Sequence, residues 1–180
     1  MDARPFFDKK GSLRFCLLFA VLVSVFYSLT SLQVVISHVD ITTPVTSAVI
    51  KTTRLLVDLL GAPVRLENAD LVTPGMRLRI SDDCNGMIAF IIYMSAVLAF
   101  PSRWRDKGIG ILMGAVLIWT LNILRILILV YVALYFPQFF FETHIYVAQS
   151  VVIAAGVVLW FFWAQSALRA ADSTRPSTAA

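Results

Sequence analysis

Four apolar segments, each long enough or nearly long enough to cross a membrane, dominate this chain of 180 residues. They are residues 13–37, 84–100, 109–136 and 145–167. A helix needs about 20 mostly apolar residues to span the hydrocarbon core of a bilayer. Hydrophobic residues make up 59% of the chain and charged residues 14%, against about 45–50% and 25% in a soluble domain. The sequence therefore predicts an all-α integral membrane protein, a single domain (1–180) built as a bundle of about four transmembrane helices.

The distribution of lysine and arginine predicts how this bundle is oriented. Nine basic residues lie at the two termini and in the loop between the second and third spans, and five lie in the long connection 38–83. Basic residues favour the cytoplasmic side, so both termini are expected in the cytoplasm and the connection 38–83 on the outer side of the membrane. The net charge of +4 then reflects membrane orientation, and no nucleic-acid partner is needed to explain it.

The connection 38–83 contains two kinds of pattern. Residues 44–60 place apolar side chains at helical spacing with basic ones between them, which predicts an amphipathic helix at the membrane surface. Residues 64–67 and 76–80 alternate apolar and charged side chains on either side of the turn residues 74–75. That alternation predicts a small extracytoplasmic β-hairpin.

Arg125 is a charged residue in the middle of the third span. An arginine there costs ~2.5–3.5 kcal/mol on insertion scales, so it marks a candidate functional site. The simpler interpretation is a structural arginine bonded to backbone carbonyls or to Glu142. Asn122 precedes it by three residues and shares its helical face, so it is predicted to support the same site or to bridge helices.

Cys84 and His144 begin the second and fourth spans on the side predicted to face outward. Counted from Gly110, Arg125 lies roughly 22 Å along its helix, in the outer half of a core about 30 Å thick. The predicted topology thus places all three side chains near one membrane face. Taken singly, Cys84 is explained as a small buried hydrophobe and His144 as an interfacial residue, while Cys16 is interpreted as helix filler.

A cysteine, a histidine and an arginine together can carry out nucleophilic catalysis. A helix start or a nearby cation lowers the pKa of a thiol and favours the reactive thiolate, here that of Cys84. His144 can donate a proton to a leaving amine, and Arg125 can hold the developing oxyanion. Gly86 permits close backbone approach beside the nucleophile. The two cysteines show no metal-binding spacing such as CxxC, so no metal and no cofactor are expected.

These residues carry a family resemblance. Cys84-Asn85-Gly86 at the start of one span, Asn122-Ile-Leu-Arg125 in the next and His144 at the start of the following one resemble the exosortase/archaeosortase family. The resemblance covers about residues 80–163, and the small number of predicted spans resembles a minimal form such as the short exosortase H type. It implies Cys84 as nucleophile, Arg125 as electrostatic stabiliser and His144 as acid/base. The chain differs from many relatives in two ways. Asn85 follows the cysteine where many relatives have a serine, and four spans are predicted where many relatives have about eight.

The resemblance also implies a function and its partners. Such an enzyme recognises exported proteins by a C-terminal sorting signal made of a short motif, a transmembrane helix and a basic tail. It cleaves near the outer face of the membrane, among membrane lipids, and passes the protein to an acceptor. One alternative is a non-enzymatic membrane assembly or transport subunit organised by Arg125. A quinone-linked thiol oxidoreductase normally needs paired outer cysteines, and an intramembrane serine protease is disfavoured because no GxSxG-like loop is present.

Overall fold

The computed structural model describes residues 9–36, 42–67, 70–73, 77–79, 85–144 and 149–173. These residues are mostly helical. The helices are α1 (Lys9–Ile36), α2 (Thr42–Leu59), α3 (Met87–Ala99), α4 (Trp104–Tyr135), the single turn α5 (Phe140–Glu142) and α6 (Gln149–Ser173). A 3-10 turn over Pro137–Phe139 links α4 to α5, and three short strands lie between α2 and α3, namely β1 (Arg65–Glu67), β2 (Asp70–Val72) and β3 (Arg77–Arg79).

Three helices in the described part of the chain are long and apolar enough to cross a membrane: Lys9–Thr30, Trp104–Tyr135 and Ser150–Ala170. The predicted count of four spans is not confirmed, because α3 is apolar but has only 13 residues. That length corresponds to about 20 Å, less than the hydrocarbon thickness. The helix begins at Met87, after a non-helical turn at residues 85–86, and ends just before Pro101.

Helix α3 lies at the centre of the bundle, in contact with α1, α4 and α6. Its Tyr93 and Val97 are almost fully buried and pack with Ile118 of α4 and Trp163 of α6. Because lipid is as apolar as these side chains, close packing and hydrogen bonds hold such helices together. The Tyr93 hydroxyl donates to the Gly110 carbonyl oxygen over 3.0 Å, which ties α3 to α4 within the bundle.

Two glycines allow α4 to approach its neighbours closely. A Cβ added at Gly114 would collide with the Tyr93 ring of α3, and one added at Gly110 would collide with the Trp163 indole of α6. That indole nitrogen donates to the Asp106 carbonyl oxygen over 3.0 Å. The Gly110–Gly114 spacing therefore serves helix packing.

Helix α2 is the predicted amphipathic helix, and it packs on the half of α4 that ends at Tyr135. Its Val49 and Val57, with exposures of 0% and 3%, pack against a cluster of α4 residues, namely Ile123, Ile126 and Val130. Thr46 and Thr53 are buried on the same face, at the three- and four-residue spacing of one helical stripe. The helix is thus docked on the bundle along that stripe.

The segment after α2 folds into a three-stranded antiparallel sheet of order β1-β2-β3. Leu66 of β1 pairs with Leu71 of β2, which pairs with Leu78 of β3. The two segments predicted to form one hairpin do contain β1 and β3, but β2 lies between them and pairs with both. The hairpin is therefore not confirmed in its predicted form, and its expected turn at 74–75 lies outside the described residues. Strand β2 reads Asp-Leu-Val, with two apolar residues in succession, so it lacks the alternation that revealed the segments of β1 and β3.

Candidate active site

The predicted nucleophile Cys84 lies outside the described residues, and the turn that follows it is ordered by two side chains. Asn85 is only 4% exposed. Its Oδ1 accepts the Met87 backbone N–H over 2.8 Å, and its Nδ2 donates to Thr46 Oγ1 over 3.1 Å. The first bond satisfies an N–H that the start of α3 would otherwise leave unpaired. The second ties the turn to α2, so the residue after Cys84 is held from both sides.

Gly86 faces Asn122 of α4. Its φ of +80° lies in the left-handed region, where residues with a Cβ are strained. A Cβ at this position would also lie 3.2 Å from Asn122 Cγ, which is tighter than ordinary contact. Asn122 itself is 1% exposed. The glycine therefore lets the chain after Cys84 sit directly against the Asn122 side chain.

Arg125 lies one helical turn beyond Asn122, on the buried face of α4. It is 9% exposed, and its Nε has no hydrogen-bond partner in the part of the chain that the structure describes. The alternative pairing with Glu142 is not seen: both residues are described, and no ion pair joins them. Tyr135, at the end of α4, is ten residues beyond Arg125, so the Arg125 Cα lies about 15 Å from that end along the helix axis.

His144 follows α5 and stacks on the Phe140 ring, with centroids 5.8 Å apart and planes at 13°. It is partly buried, and its Nδ1 has no hydrogen-bond partner among the described residues. Burial lowers the pKa of His144 below its ordinary value, and the positive charge of Arg125 lowers that pKa further. Both effects disfavour the imidazolium, so His144 is held in its neutral form. The influence of Arg125 also means that the two side chains lie within electrostatic reach of each other.

The structure thus brings five of the six predicted site residues into two linked groups, while Cys84 lies outside the described residues. Asn85 and Gly86 meet Asn122, and Arg125 acts on His144; one face of α4 joins the groups through Asn122 and Arg125. No cluster of three metal-ligating side chains is found among the described residues.

Sequence analysis did not identify Thr46 as part of this region. The signal was available, since Thr46 places a hydroxyl group on the apolar stripe of α2. A buried hydroxyl requires a hydrogen-bond partner, but the sequence alone does not indicate which residue provides it.

One family model matches most of the chain. Residues 11–163 match the family model described as transmembrane exosortase. The chain belongs to the transmembrane exosortase family. The matched range contains all six predicted site residues of this exosortase: Cys84, Asn85, Gly86, Asn122, Arg125 and His144. Together with the three long apolar helices, it makes the chain a membrane protein. No curated protein and no solved structure matches the chain at a significant level.

Proposed function

We propose that the chain is a membrane-embedded cysteine peptidase or transpeptidase that cleaves the C-terminal sorting signals of exported proteins. The observation that carries this proposal is the arrangement along α4. Arg125 is buried and acts on His144, and one turn away Asn122 packs on the backbone that follows Cys84. The family match supports the same reaction class.

In the first step, Cys84 forms a bond to the carbonyl carbon of the cleaved peptide. His144, which is neutral at rest, takes the proton of the thiol as the sulfur attacks. Negative charge develops on the carbonyl oxygen, and the guanidinium of Arg125 stabilises it. The carbon–nitrogen bond then breaks, and the imidazolium of His144 returns its proton to the leaving amine. Its lowered pKa makes that imidazolium a stronger acid than an ordinary histidine.

The second step releases the exported protein from the enzyme. The thioester on Cys84 is attacked by an acceptor, which is a lipid, a glycan, another amine or water. His144 accepts the acceptor's proton, and the proton ends on the sulfur as the thiol is restored. Each cycle therefore exchanges one acyl bond for another and consumes no oxidant or cofactor.

The proposed setting is the cell membrane, with both termini in the cytoplasm and the site facing outward. The substrates are exported proteins that carry a short motif, a transmembrane helix and a basic tail. A helix in the substrate would hold the cleaved bond at a defined depth, in the outer half of the membrane where this topology puts Arg125. The basic tail keeps the end of the signal in the cytoplasm.

A co-expressed reporter with a candidate sorting signal tests the proposal. Processing appears as a mass shift on a gel, and mass spectrometry of the acid-quenched enzyme detects the thioester on Cys84. Cys84→Ala is expected to abolish both signals. Cys16→Ala is the matched control, because Cys16 is the other cysteine of the chain and is exposed on α1. Normal processing by Cys84→Ala at equal expression would contradict the cysteine-peptidase proposal and favour the non-enzymatic membrane subunit.

Two further variants separate the roles of the other side chains. Arg125→Lys keeps the charge but loses the planar fork of donors, and we expect it to fail in processing. His144→Ala should lower the rate roughly 10²–10⁴-fold, as removal of a general acid–base does. Retention of full activity by either variant would remove that residue from the mechanism.

A further inference from the structure

A cavity of about 300 Å³ adjoins the turn that follows Cys84. It lies where the start of α2, the start of α3 and the middle of α4 meet. Its walls are Val45 of α2, residues 85–87 and Phe90 at the start of α3, and Ala115, Ile118 and Trp119 of α4. Asn85 and Gly86 thus belong both to the ordered turn of the candidate site and to the wall of the cavity.

The cavity walls are apolar. Asn85 contributes the only side-chain amide among the described lining residues, and it already bonds to Thr46 and to the Met87 N–H. Phe90 and Trp119 add aromatic rings, and the described lining includes no charged side chain. Burying a charge in such surroundings without a partner is strongly unfavourable. The volume is at the lower end of the range for small-ligand pockets, which suits one large apolar side chain.

The position of the cavity along α4 relates it to the reacting groups. Ala115 lies seven residues before Asn122, about 10 Å towards the Trp104 end of the helix, whereas Arg125 lies about 4.5 Å in the other direction. The nearer walls of the cavity are Trp119 and Ile118, which lie three and four residues before Asn122, about 4.5 and 6 Å along the helix. A residue bound beside the turn can therefore direct a large side chain towards them.

We propose that this cavity is the specificity pocket for the residue whose carbonyl Cys84 attacks, and that it selects a large apolar side chain. The inference rests on the proposed function and names the substrate class of the same site. In the thioester the attacked residue is bonded to the Cys84 sulfur. Cys84 directly precedes Asn85, so the nearest described walls available to that residue's side chain are Asn85 and Gly86. Acidic side chains at this position are rejected.

The test uses the purified full chain in lipid nanodiscs with Cys16→Ser, which leaves Cys84 as the sole cysteine. The probes are N-acetyl aminoacyl chloromethyl ketones of alanine, leucine, phenylalanine and aspartate. The Cys84 thiolate displaces chloride from each, and intact mass gives the rate of alkylation. We expect the leucine and phenylalanine probes to react at least about tenfold faster than the alanine probe, since single methylene groups already discriminate 10-fold or more, and the aspartate probe to react slowest.

Pocket variants connect the preference to this cavity. Ala115→Leu fills it and should reduce the leucine and phenylalanine rates to that of alanine, while Ala154→Leu on the exposed face of α6 should leave them unchanged. Val45→Ala enlarges the cavity and should favour phenylalanine over leucine. Iodoacetamide, which carries no side chain, should alkylate Cys84 at the same rate in every variant, which verifies that the thiol and its surroundings are intact.

Equal rates across the four probes would overturn the proposal, as would a leucine preference that survives Ala115→Leu. Both outcomes leave the proposed function standing if the reporter is still processed through Cys84. Reporter processing that persists in Cys84→Ala would contradict the proposed function itself. The reporter assay does not use the chloromethyl ketone probes, so the two results are independent.

Discussion

The Asn85 side-chain amide donates to the Thr46 hydroxyl oxygen across 39 residues of chain, in a buried 3.1 Å hydrogen bond. Through it, α2 supports the residue that directly follows Cys84. Because the same amide group accepts the Met87 N–H, the bond to Thr46 also fixes the start of α3. The docked helix is therefore part of the machinery that positions the site.

We expect Thr46→Val to lower both stability and reporter processing. It leaves the Asn85 amide N–H buried without its partner, which costs about 1–3 kcal/mol. Thr52→Val is the matched control, because the Thr52 hydroxyl donates to the Ala48 carbonyl oxygen within α2 and, among the described residues, joins no other element. Thermal unfolding in detergent and the reporter assay provide the measurements. Thr46→Ser keeps the hydroxyl and should restore processing; failure of that rescue would contradict the role of the bond.

Gly86→Ala is expected to abolish processing. The added Cβ is strained at φ +80° by about 1–2 kcal/mol and also presses on Asn122. Gly61→Ala separates the two effects, since Gly61 has φ +65° but nothing lies within 4 Å of an added Cβ. Reporter processing should be retained in Gly61→Ala. Equal losses in the two variants would show that strain alone, and not the contact with Asn122, is responsible.

Removing the charge of Arg125 should raise the pKa of His144. Burial and the positive charge of Arg125 both lower the pKa of His144 in the native chain. Arg125→Gln removes the effect of the charge and leaves the effect of burial. The imidazole then takes up its proton at a higher pH than in the native chain, though still below the ordinary value of 6.5. Titration of ¹⁵N-histidine signals by NMR measures this, with His38→Gln to leave one histidine.

Arg125→Lys serves as the charge-preserving variant in the same titration and should keep the pKa of His144 low. Arg54→Gln is the negative control, because Arg54 is exposed on α2 and pairs with Asp58. A His144 pKa that is the same in the native chain and in Arg125→Gln would mean that the two side chains do not share one site.

Gly114→Ala should destabilise the bundle by about 1–3 kcal/mol, the usual cost of overpacking. The new methyl group would collide with the Tyr93 ring and force α3 away from α4. Gly108→Ala on the same helix is the control, since nothing lies within 4 Å of an added Cβ there. Thermal unfolding in detergent compares them, and equal stability of the two variants would contradict the packing described for α3 and α4.

The orientation of the bundle is tested with single cysteines at Arg65 and Arg105 in a chain without native cysteine. Both side chains are exposed. The basic loop before α4 is predicted to be cytoplasmic, so a membrane-impermeant reagent added to intact cells should label position 65 and not position 105. Labelling of 105 alone would reverse the topology.

The apolar spans could be predicted from the sequence because a membrane restricts the chain so strongly. Backbone groups must be satisfied within each segment, so long apolar runs such as α4 form helices whatever they pack against. The same restriction identified Arg125 as a candidate site residue, because a charge within an apolar span is costly. The amphipathic helix α2 was likewise visible from its periodicity alone.

Other features depended on contacts between distant parts of the chain. Helix α3 proved shorter than predicted because the turn at residues 85–86 precedes it, and strand β2 was missed because its pairing partners define it. The hydropathy pattern shows neither feature, because each depends on which residues meet in space.

For the candidate site, the sequence by itself determined the residue types, their order and the three apolar helices that carry or flank them. Only the tertiary structure decided that Thr46 holds Asn85, that Asn122 packs on Gly86, and that Arg125 acts on His144. The physical reason is how far apart in the sequence the interacting residues lie. Hydropathy and helix period act over neighbouring residues, whereas a buried hydrogen bond, a close packing contact and an unscreened charge depend on how α2, α3 and α4 are packed together.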